Sequence, residues 1–234
     1  MRDERLNKLA EGLVNYSINL QKGEKVFIEA TDVPEEVVCA LLEKVYAVGG
    51  IPYVKLCANK VQRALLMGAG EESIKKLADY EKYIMSDMDA YIGVRGFKNN
   101  FELSDVPAET TATYSREFFY PVHHEIRVKK TKWVILRFPT DGMSQLSEMS
   151  TEKFEDFFFN VCTLDYAKMS KAMDALVELM NRTDKVRLVA KNTDLTFSIK
   201  GIPAVKCAGG CNIPDGEVYT APVKNSVNGV ITYN

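Results

Sequence analysis

Short β-rich runs alternate with amphipathic helical runs along residues 3–138, and this alternation constrains the fold more than any other feature. Leu6, Leu9, Leu13 and Ile18 recur at near-helical spacing and predict a helix over 3–22 that stops at Gly23. Lys25-Val-Phe-Ile-Glu29 then reads as a strand. Thr31 or Asp32 can cap the next helix, with Pro34 in its first turn. Val37, Val38, Leu41, Leu42 and Val45 carry that helix to the stop at Gly49-Gly50. Pro52-Tyr-Val-Lys-Leu56 is the following strand. A strand, helix and strand of this length make one parallel crossover unit. The pattern repeats with a helix over 71–86, a strand at Ala90–Val94, a loop over 95–105, a helix over 107–127 and a strand at Trp133–Phe138. Such alternation specifies an α/β fold, with an open, mostly parallel sheet flanked by helices.

The pattern breaks at Pro139-Thr-Asp-Gly-Met143. Residues 151–182 then read as a long helical connector, bent or broken near Thr163. Strands are expected at Val186–Ala190, at Leu195–Ile199 and around Val218. The reading is therefore an N-terminal α/β domain over 1–150, then a segment over 151–234 holding the connector and the first strands of a second α+β domain. Residues 201–234 carry only Lys206, Asp215, Glu217 and Lys224 as charged side chains. So few charges point to burial or to a covering partner. The chain also stops inside an apparent strand, Val230–Asn234, whose open edge would invite pairing. The expectation is a fragment, or an edge covered by something outside this sequence.

Charge and composition exclude several classes. With 30 basic and 32 acidic side chains the formal net charge is −2, which gives no electrostatic reason to bind nucleic acid. The charged start, Met1-Arg2-Asp3-Glu4-Arg5, is not a secretory signal, and no run of apolar residues is long enough to span a membrane. Five scattered cysteines, Cys39, Cys57, Cys162, Cys207 and Cys211, read as reduced thiols of a cytoplasmic protein. The 2 histidines, His123 and His124, are adjacent, so a metal site must lean on carboxylates or cysteines.

Four motifs could carry chemistry. Gly93-Val-Arg-Gly96 follows a strand but lacks the full glycine spacing of a dinucleotide loop, so a tight turn is the plainer reading. His123 and His124 fall near a helix end, about 100° apart around its axis, which suits a structural role better than shared metal ligation. Cys207-Ala-Gly-Gly-Cys211 has knuckle-like spacing but no second pair, so buried thiols are the default. The most distinctive segment is Cys211-Asn-Ile-Pro-Asp-Gly-Glu-Val-Tyr-Thr-Ala-Pro222. Pro214-Asp215-Gly216 is a turn signature, and Glu217 follows it at the head of a β-rich run. Either Glu217 is a solvated surface residue, or it has a partner such as Arg, Lys or a metal.

Asn212-Ile-Pro-Asp-Gly-Glu-Val-Tyr-Thr-Ala-Pro-Val223, with Ser226-Val-Asn-Gly229 behind it, resembles the signature of the thermophilic metalloaminopeptidases. Thr193-Asp-Leu-Thr-Phe-Ser-Ile-Lys-Gly201 looks like the strand pair that precedes it, and Asp32-Val-Pro34 and Gly49-Gly-Ile-Pro-Tyr-Val54 are similar to the family's first domain. The resemblance implies release of N-terminal amino acids from peptides by a homodimer holding divalent metal: zinc, cobalt or manganese. It makes residues 151–234 the connector and opening of the catalytic domain, and it gives Glu217 the role of a metal ligand.

The sequence departs from that family after Glu217. The remaining family ligands are a second glutamate, two histidines and an aspartate, yet residues 218–234 contain no His, Asp, Glu or Cys. Two-metal hydrolysis needs ions about 3.5–4 Å apart, held from several sides. One carboxylate does not hold such a pair, so this chain alone is expected to bind metal poorly and to be inactive, with no catalytic residue assigned within it. A non-enzymatic binding or dimerisation module with a degenerate metal site is the alternative. A nucleotide-binding α/β protein is a third reading that rests on fold analogy alone.

Overall fold

The structure is a computed structural model describing residues 3–233. Met1, Arg2 and Asn234, the ends of the charged start and of the expected final strand, lie outside the described residues. The helices are α1 (Glu4–Glu11), α2 (Glu35–Ala47), α3 (Asn59–Gly68), α4 (Glu71–Ser86), α5 (Ala108–Tyr114), α6 (Asp141–Leu146), α7 (Thr151–Cys162) and α8 (Tyr166–Arg182). The strands are β1 (Lys25–Thr31), β2 (Ile51–Cys57), β3 (Ala90–Arg95), β4 (Lys132–Arg137), β5 (Lys185–Ala190), β6 (Thr193–Ser198), β7 (Val205–Cys207), β8 (Asn212–Ile213), β9 (Glu217–Tyr219) and β10 (Asn228–Val230). Helical and strand segments alternate as far as β4, after which α6, α7 and α8 follow in succession and the remaining strands come last. Helix α1 continues as a π-helix over Gly12–Ser17, and α5 over Ser115–Val128, where Pro121 lies inside the helix.

The chain divides into two compact units. The first runs to Leu164 and regains Gly209–Pro214; the second holds Asp165–Ala208 and Asp215–Asn234. The first unit is built on a five-stranded sheet in the order β2-β1-β3-β4-β8. All its neighbours are parallel. That is the α/β fold read from the alternation. Val26, Phe27 and Ile28 are fully buried in succession, so β1 is covered on both faces, as a central parallel strand must be. On one face Phe27 and Tyr91 pack with Ile74, Ala78 and Met85 of α4 and with Phe118, Val122 and Ile126 of the π-helix. Leu9, Leu13, Leu41 and Val45, from the α1 segment and α2, are also buried.

Caps explain several boundaries. The Ser150 hydroxyl accepts from the Lys153 N–H at the start of α7, and the Asp165 carboxylate accepts from the Lys168 N–H at the start of α8. The expected connector is thus two helices, and its break falls at Thr163–Asp165 because Asp165 starts a new one. The helix expected over 3–22 ends earlier, at Ser17. Helices α3 and α6 were not expected. Thr140 caps α6 with its side chain where the pattern was read as broken, so Pro139-Thr140 is a helix entry and not a loop.

In the second unit β10, β6 and β5 form an antiparallel sheet in that order, and β7 pairs antiparallel with β9. Strands β5, β7, β9 and β10 are largely exposed, and β6, between β10 and β5, is mostly half-buried. Val189, Val230 and Tyr233 stand out to solvent. The charge-poor C-terminal segment is therefore not buried among the described residues.

Candidate metal centre and the buried polar network

Glu217 is the first residue of β9, directly after the Pro214-Asp215-Gly216 turn. Gly216 has φ +143, a backbone conformation that side-chain-bearing residues rarely adopt, and a Cβ there would lie 3.3 Å from the Met169 sulfur. The Asp215 N–H donates to the Tyr166 hydroxyl at 3.2 Å, tying the turn to α8. The Ile213–Pro214 peptide just before it is cis. The strand thus starts where the turn signature indicated.

The Glu217 side chain is exposed. No hydrogen bond or ion pair from a described residue reaches its carboxylate. A lone glutamate in an apolar stretch needs a partner only where it is buried, and this one faces water. Cys207 is its register partner across the β7–β9 ladder, so the two can share a face. No further donor joins them: among the described residues, no group of three or more His, Cys, Asp or Glu side chains could hold a metal ion. The residues present therefore do not fit a divalent-metal site, and still less a pair of sites.

Other sequence candidates resolve differently. Cys207 is half-buried and Cys211 exposed, so neither is the buried thiol expected. Gly93 lies inside β3, and neither Gly93 nor Gly96 has positive φ, so the tight-turn reading fails. They are glycines because space is short. A Cβ on Gly96 would sit 2.5 Å from the Asp32 carbonyl oxygen, and one on Gly93 would meet the Tyr91 ring at 2.9 Å.

The two histidines separate as their spacing implied. His124 is exposed and stacks on Tyr120, with ring centroids 4.6 Å apart. His123 is only 4% exposed, and its Nδ1 has no partner among the described residues. Burial pulls its pKa down to about 4, so it is neutral at pH 7. The favourable cationic form expected at a helix end does not apply, because desolvation outweighs it.

Sequence reasoning missed a buried polar network around Tyr91, which is fully buried. Its hydroxyl donates to Glu29 at 2.5 Å. Lys55 Nζ lies 3.5 Å from Glu29 and 2.7 Å from Glu81. Burial would raise the Glu29 pKa, but the Tyr91 hydroxyl and Lys55 hold it below the ordinary value. For Lys55 the penalty of burial is outweighed by the Glu81 hydrogen bond and Glu29, and its pKa rises. Arg127, 5% exposed, sits over the rings of Trp133 at 4.5 Å and Tyr91 at 5.2 Å. The signal was present in the sequence: Glu29 and Lys55 are charges set inside otherwise apolar strand runs. The network stitches β1, β2, β3 and α4 together and borders a cavity of about 550 Å³.

The fold and site together define a two-unit α/β protein with a Pro-Asp-Gly-Glu turn leading into a short strand. The chain belongs to the thermophilic metalloprotease family M29, whose sequence pattern matches residues 2–234. Among solved structures, it is similar to wild-type AmpT from Thermus thermophilus, with a TM-score of 0.77 and 22% identity. That match covers 97% of this chain and 63% of the AmpT chain. A looser likeness, to 2,5-dihydroxypyridine dioxygenase from Pseudomonas putida KT2440, has a TM-score of 0.51 and 12% identity over 96% of this chain and 57% of that one. Both likenesses show the fold alone. No curated protein matches the sequence. This chain thus spans less than two thirds of the length of either structure. No helix among the described residues is long and apolar enough to cross a membrane.

Proposed function

We propose that this sequence belongs to a metal-dependent aminopeptidase that removes N-terminal amino acids from peptides. Glu217 supplies one metal ligand in this reading. The other ligands come from protein outside this sequence, and zinc, cobalt or manganese is the metal. The working protein is a cytoplasmic homodimer. The single observation that carries the reading is membership of a metalloprotease family over residues 2–234, with the family's Pro-x-Gly-Glu signature at 214–217. The domain assignment that goes with it is 1–150 for the N-terminal α/β domain and 151–234 for the connector and the start of the catalytic domain.

The second reading is a binding or dimerisation module with a degenerate site. It is favoured by one fact, the lack of any three-ligand cluster among the described residues. One experiment separates the two. The 234-residue chain, and the product of its full open reading frame if that is longer, are stripped of metal, reloaded with cobalt, zinc or manganese, and assayed on aminoacyl substrates. The expected result is no hydrolysis by the 234-residue chain, metal-dependent hydrolysis by the longer product, and at least a tenfold loss on Glu217→Gln, roughly the smallest effect expected from disturbing a metal's surroundings. A stop codon directly after Asn234 supports the module. Robust metal-dependent hydrolysis by the short chain overturns the division of ligands proposed here.

A further inference from the structure

At the carboxyl edge of the parallel sheet, one row of register partners crosses three strands: Thr31 on β1, Arg95 on β3 and Arg137 on β4. Register partners in parallel strands project to the same face, so two guanidinium groups rise side by side from strands about 4.8 Å apart. Neither makes an ion pair or a side-chain hydrogen bond with a described residue. Arg137 rests over the ring of Phe97, at 5.7 Å. Two like charges placed together with no carboxylate between them repel each other, and an anion relieves that repulsion.

Their position in the topology is specific. The sheet order β2-β1-β3-β4 sends the chain to one side after β1 and to the other after β3. Open α/β sheets bind ligands in the crevice outside the strand ends at this switch point. A cavity of about 290 Å³ lies there, lined by Thr31, Arg95, Arg137, the amides of Asn59 and Gln62, and His123. His123 is the buried ring whose Nδ1 lacks a partner. The rim is fixed before any ligand arrives. The Asn59 N–H donates to the Asp32 carboxylate at 3.0 Å, its side-chain amide donates to the Gly96 carbonyl at 3.4 Å, and the Thr140 hydroxyl donates to the Phe97 carbonyl at 2.6 Å. Glu29 also borders the cavity and its charge reaches Arg95, but the Tyr91 hydroxyl and Lys55 engage it first, so two guanidinium groups face the cavity against one carboxylate already partnered.

We propose that this crevice binds a compact polar ligand through an oxyanion group, a phosphate or a carboxylate, held between Arg95 and Arg137. Paired guanidinium groups suit such a group because each can donate two parallel N–H bonds to it. The inference uses only the first unit and does not rest on the peptidase reading.

The test is calorimetric titration of the full chain with inorganic phosphate and, separately, with acetate, at constant ionic strength set with chloride. Saturable binding of either anion with a Kd of about 20 mM or tighter is expected, and the tighter of the two identifies the oxyanion class. Arg137 is exposed, so Arg137→Gln leaves the fold intact and should weaken binding about tenfold. Arg95→Lys, which keeps the charge and loses the fork, should weaken it less than Arg95→Gln. Absence of saturable binding by both anions overturns the proposal, as does binding left unchanged in a folded double Arg95→Gln, Arg137→Gln variant.

Discussion

The first unit covers its inner strands β1 and β3 on both faces, whereas the second leaves most of its strand residues in water. Val26, Phe27, Ile28 and Ile92 are buried to the last few Å² in the first, while Leu188, Val189 and Val230 are half to two-thirds exposed in the second. The same residue types therefore do different work. In the parallel sheet they supply the burial that drives folding, at roughly 25 cal/mol for each Å² removed from water. In the small antiparallel sheets they mostly mark a face that the described chain does not cover. The difference extends to charge. The first unit buries Glu81, His123 and Arg127, and pairs Glu29 and Glu81 through Lys55. The second holds its ion pairs, such as Arg187–Asp194, at the surface. Buried charges depend on one arrangement of partners, and exposed ones do not.

That contrast can be broken most forcefully at Phe27. Phe27→Ala should cost about 3–5 kcal/mol in urea unfolding, because it opens a cavity in a close-packed interior, while Val189→Thr in the second unit should shift stability by no more than about 0.5 kcal/mol. Equal effects would mean the two regions are built alike. The next effect is a pH dependence. His123 is neutral in the fold with a pKa of about 4, against an ordinary 6.5, so the unfolded chain takes up a proton first as pH falls. Its contribution is fully present above pH 6.5 and is lost between 6.5 and 4, by about 3 kcal/mol at most. His123→Phe should flatten the stability profile over that window, and an unchanged profile would show that the ring is solvated. The smallest effect is at Lys55. Lys55→Met leaves Glu29 and Glu81 facing each other and should cost about 2 kcal/mol, less than for a fully buried pair because the lysine is a third exposed. Restoring stability with Glu81→Gln in the same chain would show that charge, and not packing, was lost.

Much of the first unit was legible from its residues. The period changes at Lys25, Pro52, Ala90 and Trp133 mark four of the five parallel strands, since each is a run long enough to carry its own pattern. Strand β8 was not legible: Asn212-Ile213 has no strand period of its own and joins the sheet only because Ile135 and Leu136 of β4 pair with it. Helix α3 was missed for a related reason. It is only 10 residues long and starts after Ala58, which offers no capping side chain, so no start signal marks it in the sequence. At Glu217 the turn was readable and the solvent exposure was not, because exposure depends on what the rest of the chain places over the strand.

The sequence by itself determined the α/β alternation, the Pro214-Asp215-Gly216 turn before Glu217, and the family, through local patterns that need no distant partner. Only the tertiary structure decided which charges are buried, that His123 is neutral beside Tyr91, and that Thr31, Arg95 and Arg137 align at one sheet edge. Those facts follow from strand order and register. Residues as far apart as 31, 95 and 137 become neighbours only when β1, β3 and β4 pair, and no spacing in the sequence encodes that meeting.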